Sequence, residues 1–193
     1  MIKTAQTDIS ENVEYVLRDR NGNVKPLFQQ NRFFAWLLKK GWATPHTPKI
    51  PFLFGYWTSD PIAVRNIITN AGLAGIASRI NGAGSAAVFD YIALGTGTTA
   101  AAVGNTALQT EITTGGGQRA QATASRVTEN VTNDTARLVE TFNFTSDFAV
   151  TESGILNAAS TGTLLCRQTF SAINVDDGDS LQVTWDVTSE RPA

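Results

Sequence analysis

Near the C-terminal end, Leu181, Val183, Trp185 and Val187 alternate with Gln182, Thr184, Asp186 and Thr188. A two-residue period puts one set on each face of an extended chain, because successive strand side chains point to opposite sides. A helix would scatter the same residues around its axis. The segment therefore reads as a half-buried strand, and it needs partner strands for its backbone groups.

Candidate partners precede it. Leu164, Cys166, Phe170 and Ala172 share a parity against Leu165, Arg167, Thr169 and Ser171. Leu138, Phe142 and Phe144 share another, with Glu140 as the exception. Phe148 and Val150 begin a further extended segment, where Gly154 suggests a bulge before Ile155 and Leu156. Val88, Asp90, Ile92 and Leu94 face away from Phe89, Tyr91 and Ala93, so both faces are apolar, as in a covered central strand. Residues 119–128 alternate small and polar groups as another strand. Asp176-Asp177-Gly178-Asp179 has the composition of a hairpin turn. These strands predict a mainly β fold: an antiparallel β-sandwich or jelly-roll-like domain with one or two short helices and an N-terminal arm.

Two helices stand out upstream. Asn31 is placed to cap a helix through Lys40, with Phe34, Leu37 and Leu38 on one face and Gly41 at its end. Phe33 and Trp36 widen that apolar surface and suggest burial on more than one side. A second helix runs toward Asn81, with Asn70 as its expected cap and Leu73, Ile76, Ala77 and Ile80 at helical spacing. Gly72 and Gly75 weaken its propensity but reduce bulk, which favours close packing on a sheet.

The N-terminal segment has a different texture. Val13 to Leu17 and Val24 to Phe28 flank the turn signal Asp19-Arg-Asn-Gly-Asn23 and read as a hairpin. Pro45, Pro48, Pro51 and Pro61 then interrupt a stretch carrying Trp42, Phe52, Phe54, Tyr56 and Trp57. Rings this dense either fold over their own domain or form an adhesive arm on a neighbour, and the five aromatics are the candidate interface residues. The expected division is residues 1–65 as hairpin, short helix and aromatic arm, and 66–193 as the sandwich.

Charge and chemistry narrow the function. Residues 1–60 hold eight Lys or Arg against five Asp or Glu, and the remainder seven against twelve. An excess of three is too small to indicate nucleic acid, but it permits a basic arm to lie on an acidic neighbour. No eighteen-residue apolar run suggests a helical membrane span, and MIKTAQTDIS lacks the order of a secretion signal. With His46 the sole histidine and Cys166 the sole cysteine, a Cys/His metal cluster cannot be assembled. His46 sits in a proline-rich loop without a nucleophile motif, and Cys166 lies on an inward strand parity as a packed thiol. Asp176, Asp177 and Asp179 offer oxygens to calcium but lack the spacing of a calcium loop. Asp90, Glu111, Glu140, Glu152 and Asp186 are the carboxylates from which a glycosidase pair would be drawn. Gly95-Thr-Gly97-Thr-Thr-Ala100 fits a loose dinucleotide-loop pattern, yet the helix and parallel strand that should follow are missing from the sequence pattern. The expectation is a non-enzymatic protein with no cofactor, no metal, no nucleic acid and no membrane partner.

Several ordered blocks then resemble a known family. They are Asn66-Ile-Ile-Thr-Asn-Ala-Gly-Leu73, Phe89-Asp-Tyr-Ile-Ala-Leu-Gly-Thr-Gly-Thr-Thr99 and Gly104-Asn-Thr-Ala-Leu-Gln-Thr-Glu111. Thr151-Glu-Ser-Gly-Ile-Leu-Asn-Ala158 and Leu164-Leu-Cys-Arg-Gln-Thr-Phe170 follow, then Ile173-Asn-Val, Gly178-Asp-Ser-Leu181 and Val183-Thr-Trp185. Over residues 66–187 the chain resembles small structural proteins of tailed bacteriophage virions, of the head decoration, cement, or neck and tail accessory type. The resemblance implies a virion component, assembled in the host bacterial cytoplasm, whose partners are other virion proteins and copies of itself. It brings no catalytic residue, and residues 1–65 fall outside it. A receptor- or glycan-binding module of a tail fibre is the alternative, and a glycan-degrading enzyme a distant third.

Overall fold

In the computed structural model, which describes residues 8–43, 47–60, 62–65 and 67–190, twelve strands and two helices are described. Two five-stranded sheets form a mainly β, sandwich-like body in which every ladder between named strands is antiparallel. The alternating C-terminal segment is β12 (Ser180–Glu190), between β1 (Asp8–Arg18) and β9 (Thr135–Asn143). With β4 (Ile62–Arg65) and β8 (Thr123–Val127) at the edges, these make the first sheet. The second sheet runs β5 (Ile67–Ile68), β11 (Leu164–Val175), β10 (Phe148–Leu156), β6 (Tyr91–Gly95) and β7 (Ala120–Gln121).

The core gathers the inward parity of both sheets. Val13, Tyr15 and Leu17 from β1 meet Leu181, Val183 and Trp185 from β12, with Ile92, Leu94, Val150, Ile155, Cys166 and Val175 among their companions in one buried cluster. Trp185 is fully buried and donates its indole N–H to Ser153 Oγ at 3.1 Å, so its polar tip is satisfied. Covering each such large side chain contributes about 1.5–3 kcal/mol before entropy is subtracted.

Several expectations change. The sandwich does not begin at residue 66: β1 pairs with β12 over its full length and with β4 at Asn12–Tyr15, so residues 8–18 are interior to the first sheet. The Val24–Phe28 return is also altered. A single bridge joins Arg18 to Val24, and the chain then forms β2 (Leu27–Gln30), which pairs with β3 (Gly55–Thr58) instead of β1. The Asp176–Asp179 turn is not a hairpin, because β11 and β12 belong to different sheets and the turn crosses between them. Gly154 is not the bulge. The register shifts lie on either side, between Val150 and Glu152 and between Ile155 and Leu156. The second shift breaks the β11 parity: Leu164 joins a small cluster with Ala93, Leu108 and Leu156, while Leu165 and Cys166 both enter the main core.

Helix α1 (Arg32–Lys39) is capped as expected, with the Asn31 side chain accepting from Phe34 N–H at 2.9 Å. Helix α2 (Asn70–Asn81) starts one residue early: Thr69, not Asn70, accepts from Gly72 N–H at 2.8 Å, and Gly82 closes the helix in a left-handed conformation. Its buried positions are Gly72 and Gly75, while Leu73, Ala77 and Ile80 face solvent. The reason is proximity: a Cβ on Gly72 would stand 2.1 Å from the Leu165 carbonyl oxygen. Backbone contact with the sheet therefore takes precedence over the helix's larger apolar side chains.

Candidate interaction surface

Residues 27–58 fold into a small aromatic subdomain against the sandwich. β2 and β3 pair antiparallel, and α1 lies beside the turn that connects toward β3. Asn31 fastens the two, with its backbone N–H donating to the Phe54 carbonyl at 2.8 Å and its side-chain amide to the Leu53 carbonyl at 2.9 Å. Inside, the fully buried Phe34 ring contacts Phe54 at 4.9 Å and Phe28 at 6.3 Å, and Phe28 meets Trp57 edge-on at 5.4 Å. Gly55 is required here, since a Cβ would meet the Gln29 carbonyl oxygen at 2.1 Å.

Outside, the same elements present rings to solvent. Phe33 stacks on Trp36 at 6.1 Å and Trp36 meets Trp42 edge-on at 5.3 Å, with all three exposed. Phe52 is 99% exposed and adopts φ of 65°, a left-handed conformation that a bulky residue rarely accepts. Ile50 and Leu53 beside it are half exposed. Of the five candidates, Trp42, Phe52, Tyr56 and Trp57 lie exposed, while Phe54 is turned inward onto Phe34. Phe33, Trp36, Ile50 and Leu53 join the surface unforeseen. Phe33 and Trp36 were expected to be buried, but their three-residue spacing on α1 places them on the solvent side.

The surface is one-signed. Residues 27–58 include Arg32, Lys39, Lys40 and Lys49 but no Asp or Glu. Three links hold the subdomain to the body. Lys49 Nζ donates to the Ala172 carbonyl, Ser171 Oγ bonds Gln30 Oε1 at 2.7 Å, and Lys25 just outside pairs with Asp176 at 2.8 Å and Asp179 at 2.6 Å.

The remaining candidate residues that are described have the following partners. Lys25 sits on two of the three candidate calcium carboxylates, Asp176 and Asp179, and Asp179 Oδ2 also accepts from Asp176 N–H at 3.0 Å. Among the described residues no group of three His, Cys, Asp or Glu is arranged to hold a metal ion. His46 lies outside the described residues. Cys166 is a buried thiol in the core. The Gly95–Gly97 segment cradles a side chain: Glu152 accepts from the backbone N–H groups of Gly97 at 3.0 Å, Gln109 at 3.0 Å and Thr110 at 2.7 Å. A Cβ at Gly97 would meet the Glu152 carboxylate oxygen at 2.4 Å, so both glycines make room for the acid. Arg167 completes this buried centre, reaching Glu152 through Nε at 2.8 Å and Nη2 at 2.7 Å. Arg167 also donates to the Thr99 carbonyl and Asn105 Oδ1, both at 3.0 Å. Glu111 and Asp186, two further glycosidase candidates, pair with Arg119 at 2.7 Å and Arg137 at 2.6 Å. Asp90 instead accepts from the Gln121 side-chain amide at 2.7 Å, and burial raises the pKa of Glu140.

No helix among the described residues is long and apolar enough to cross a membrane. Comparison with models of protein families, with curated proteins and with solved structures finds no match for this chain.

Proposed function

We propose that this chain is a structural subunit of a tailed-phage virion that binds neighbouring head, neck or tail proteins and so decorates or stabilises the particle. The observation that carries the reading is the exposed, acid-free aromatic face of residues 27–58 on a sandwich body. A cluster of exposed rings is costly to leave in water and suits permanent cover by another protein. Each ring buried contributes about 1.5–3 kcal/mol before ordering costs, and many identical contacts add across a particle. The blocks over residues 66–187 supply the virion context, with assembly in the host cytoplasm.

Exposure of Trp42, Tyr56 and Trp57 also suits stacking on a glycan, as in a receptor-binding fibre module. The half-exposed aliphatic Ile50 and Leu53 beside Phe52 favour a protein partner, since a sugar site surrounds its ring with hydrogen-bonding groups. Deleting residues 42–57 would strip β3 and uncover Phe34, so point substitutions make the cleaner test. Trp42→Ala together with Phe52→Ala should lower occupancy in particles while leaving the melting curve unchanged. Full occupancy by the doubly substituted chain would contradict the reading.

A further inference from the structure

Lys49 stands out once the surface is in place. Its Nζ stands 5.8 Å from the ring centroids of both Phe28 and Trp57. Its described hydrogen bond is to the neutral carbonyl of Ala172. None of the ion pairs among the described residues involves it, and residues 27–58 contain no acid that could supply one. Burial lowers the pKa of its amine, the expected response of a cation held away from water without a counter-charge.

An open cleft of about 180 Å³ adjoins this group, lined in part by Lys49, Lys25, Phe28, Trp57, Asn174 and Asp176. Asp176 is the only acid lining it, and its carboxylate is engaged by Lys25 at 2.8 Å. The cleft is continuous with the exposed aromatic face through Trp57, whose ring is half exposed. A cavity of this volume accepts one carboxylate-bearing side chain, and the adjoining rings strengthen a cation's pull by excluding water.

We propose that the Lys49 cleft is the socket for an Asp or Glu side chain of the protein neighbour that covers the aromatic face. The inference rests on the virion-subunit reading and adds the chemistry of the partner: an acidic surface whose carboxylate enters the cleft beside Phe28 and Trp57. The cation-rich, acid-free face then meets an opposite charge, and the incoming carboxylate supplies the partner that Lys49 lacks.

The test has two arms. In the first, the full chain is titrated with propionate, matching the end of a glutamate side chain, and with propionamide as its neutral isostere. Tryptophan fluorescence and the Lys49 side-chain NMR signal are followed. A saturable response to propionate, weak with propionamide and lost in Lys49→Met, is expected. Equal responses to both probes, or none to either, would overturn the proposal. In the second arm, Lys49→Met is supplied to assembling particles, after a melting curve confirms that it folds. Roughly tenfold lower occupancy with a flattened salt dependence is expected, the size of one charge-assisted contact. Native occupancy of Lys49→Met, alongside loss of occupancy for Trp42→Ala with Phe52→Ala, would reject the socket but keep the virion reading. Native occupancy of both variants would reject both.

Discussion

Replacing Arg167 with methionine isolates the buried centre of the second sheet. The side chains of Glu152 and Arg167 are 0% and 2% exposed, and the pair is held by two contacts of 2.7–2.8 Å. Methionine keeps much of the volume and removes the charge, leaving a buried carboxylate with three backbone N–H donors. Breaking one side of such a pair costs about 3–5 kcal/mol, because the surviving charge stays out of water. The three amides on Glu152 place this case toward the lower end. For a chain of this size that loss lowers Tm by roughly 6–20 °C. Urea unfolding measures the free energy, and hydrogen exchange reads the loop that the pair anchors. Faster exchange is expected at Gly97, Gln109 and Thr110, whose N–H groups end on Glu152. Adding Glu152→Gln to Arg167→Met should recover part of the loss, giving a coupling of opposite sign to the single effects. A loss below about 1 kcal/mol for Arg167→Met would refute the reasoning, since a surface pair behaves that way.

Other expectations follow from the same structure. Tyr15 is buried, burial pushes its pKa well up, and its hydroxyl makes no well-formed hydrogen bond, with Ser153 near enough only to oppose that rise. Tyr15→Phe should therefore raise stability by about 1 kcal/mol, checked by urea unfolding. Gly72→Ala should destabilise by about 1–3 kcal/mol despite alanine's higher helix propensity, because the new methyl meets the Leu165 carbonyl. Asp134 accepts from the N–H groups of Glu129, Asn130 and Val131, which lower its pKa to about 2. That stabilisation is present above the ordinary value of 3.8 and is lost as pH falls through about 2. Asp134→Asn should lower Tm at pH 7 and converge with the native chain in strong acid. Glu140 behaves oppositely. Burial raises its pKa above 4.5, so its charge opposes folding at neutral pH. Glu140→Gln should raise Tm at pH 7, with the gain vanishing below about pH 4, where both states are protonated.

The sequence revealed most where one physical effect dominates. β12 buries one face and pairs on both sides, so its alternation is undisturbed and legible. β11 also alternates over much of its length, but the register shift near Leu165 moves adjacent residues into the same core, which no parity count anticipates. Val13, Tyr15 and Leu17 alternate with only Val16 out of place, yet their partner lies at the other end of the chain, beyond the reach of a local turn signal. α2 misleads because close backbone packing rewards glycine, so its larger apolar groups turn outward. The aromatic surface was largely visible as composition, although Phe54 turned inward and Phe33 and Trp36 outward. Glu152 looked like one carboxylate among several. Its role depends on loop amides 42–55 residues away, which only the fold brings together.

On the proposed reading, the aromatic face of residues 27–58 is the surface by which the chain is held in a virion. An image of the intact particle at side-chain detail tests it most directly. Continuous density from a neighbouring protein is expected over Phe33, Trp36, Trp42 and Phe52, with an acidic side chain entering beside Lys49. A particle in which those rings face solvent while the sandwich makes every contact would contradict it.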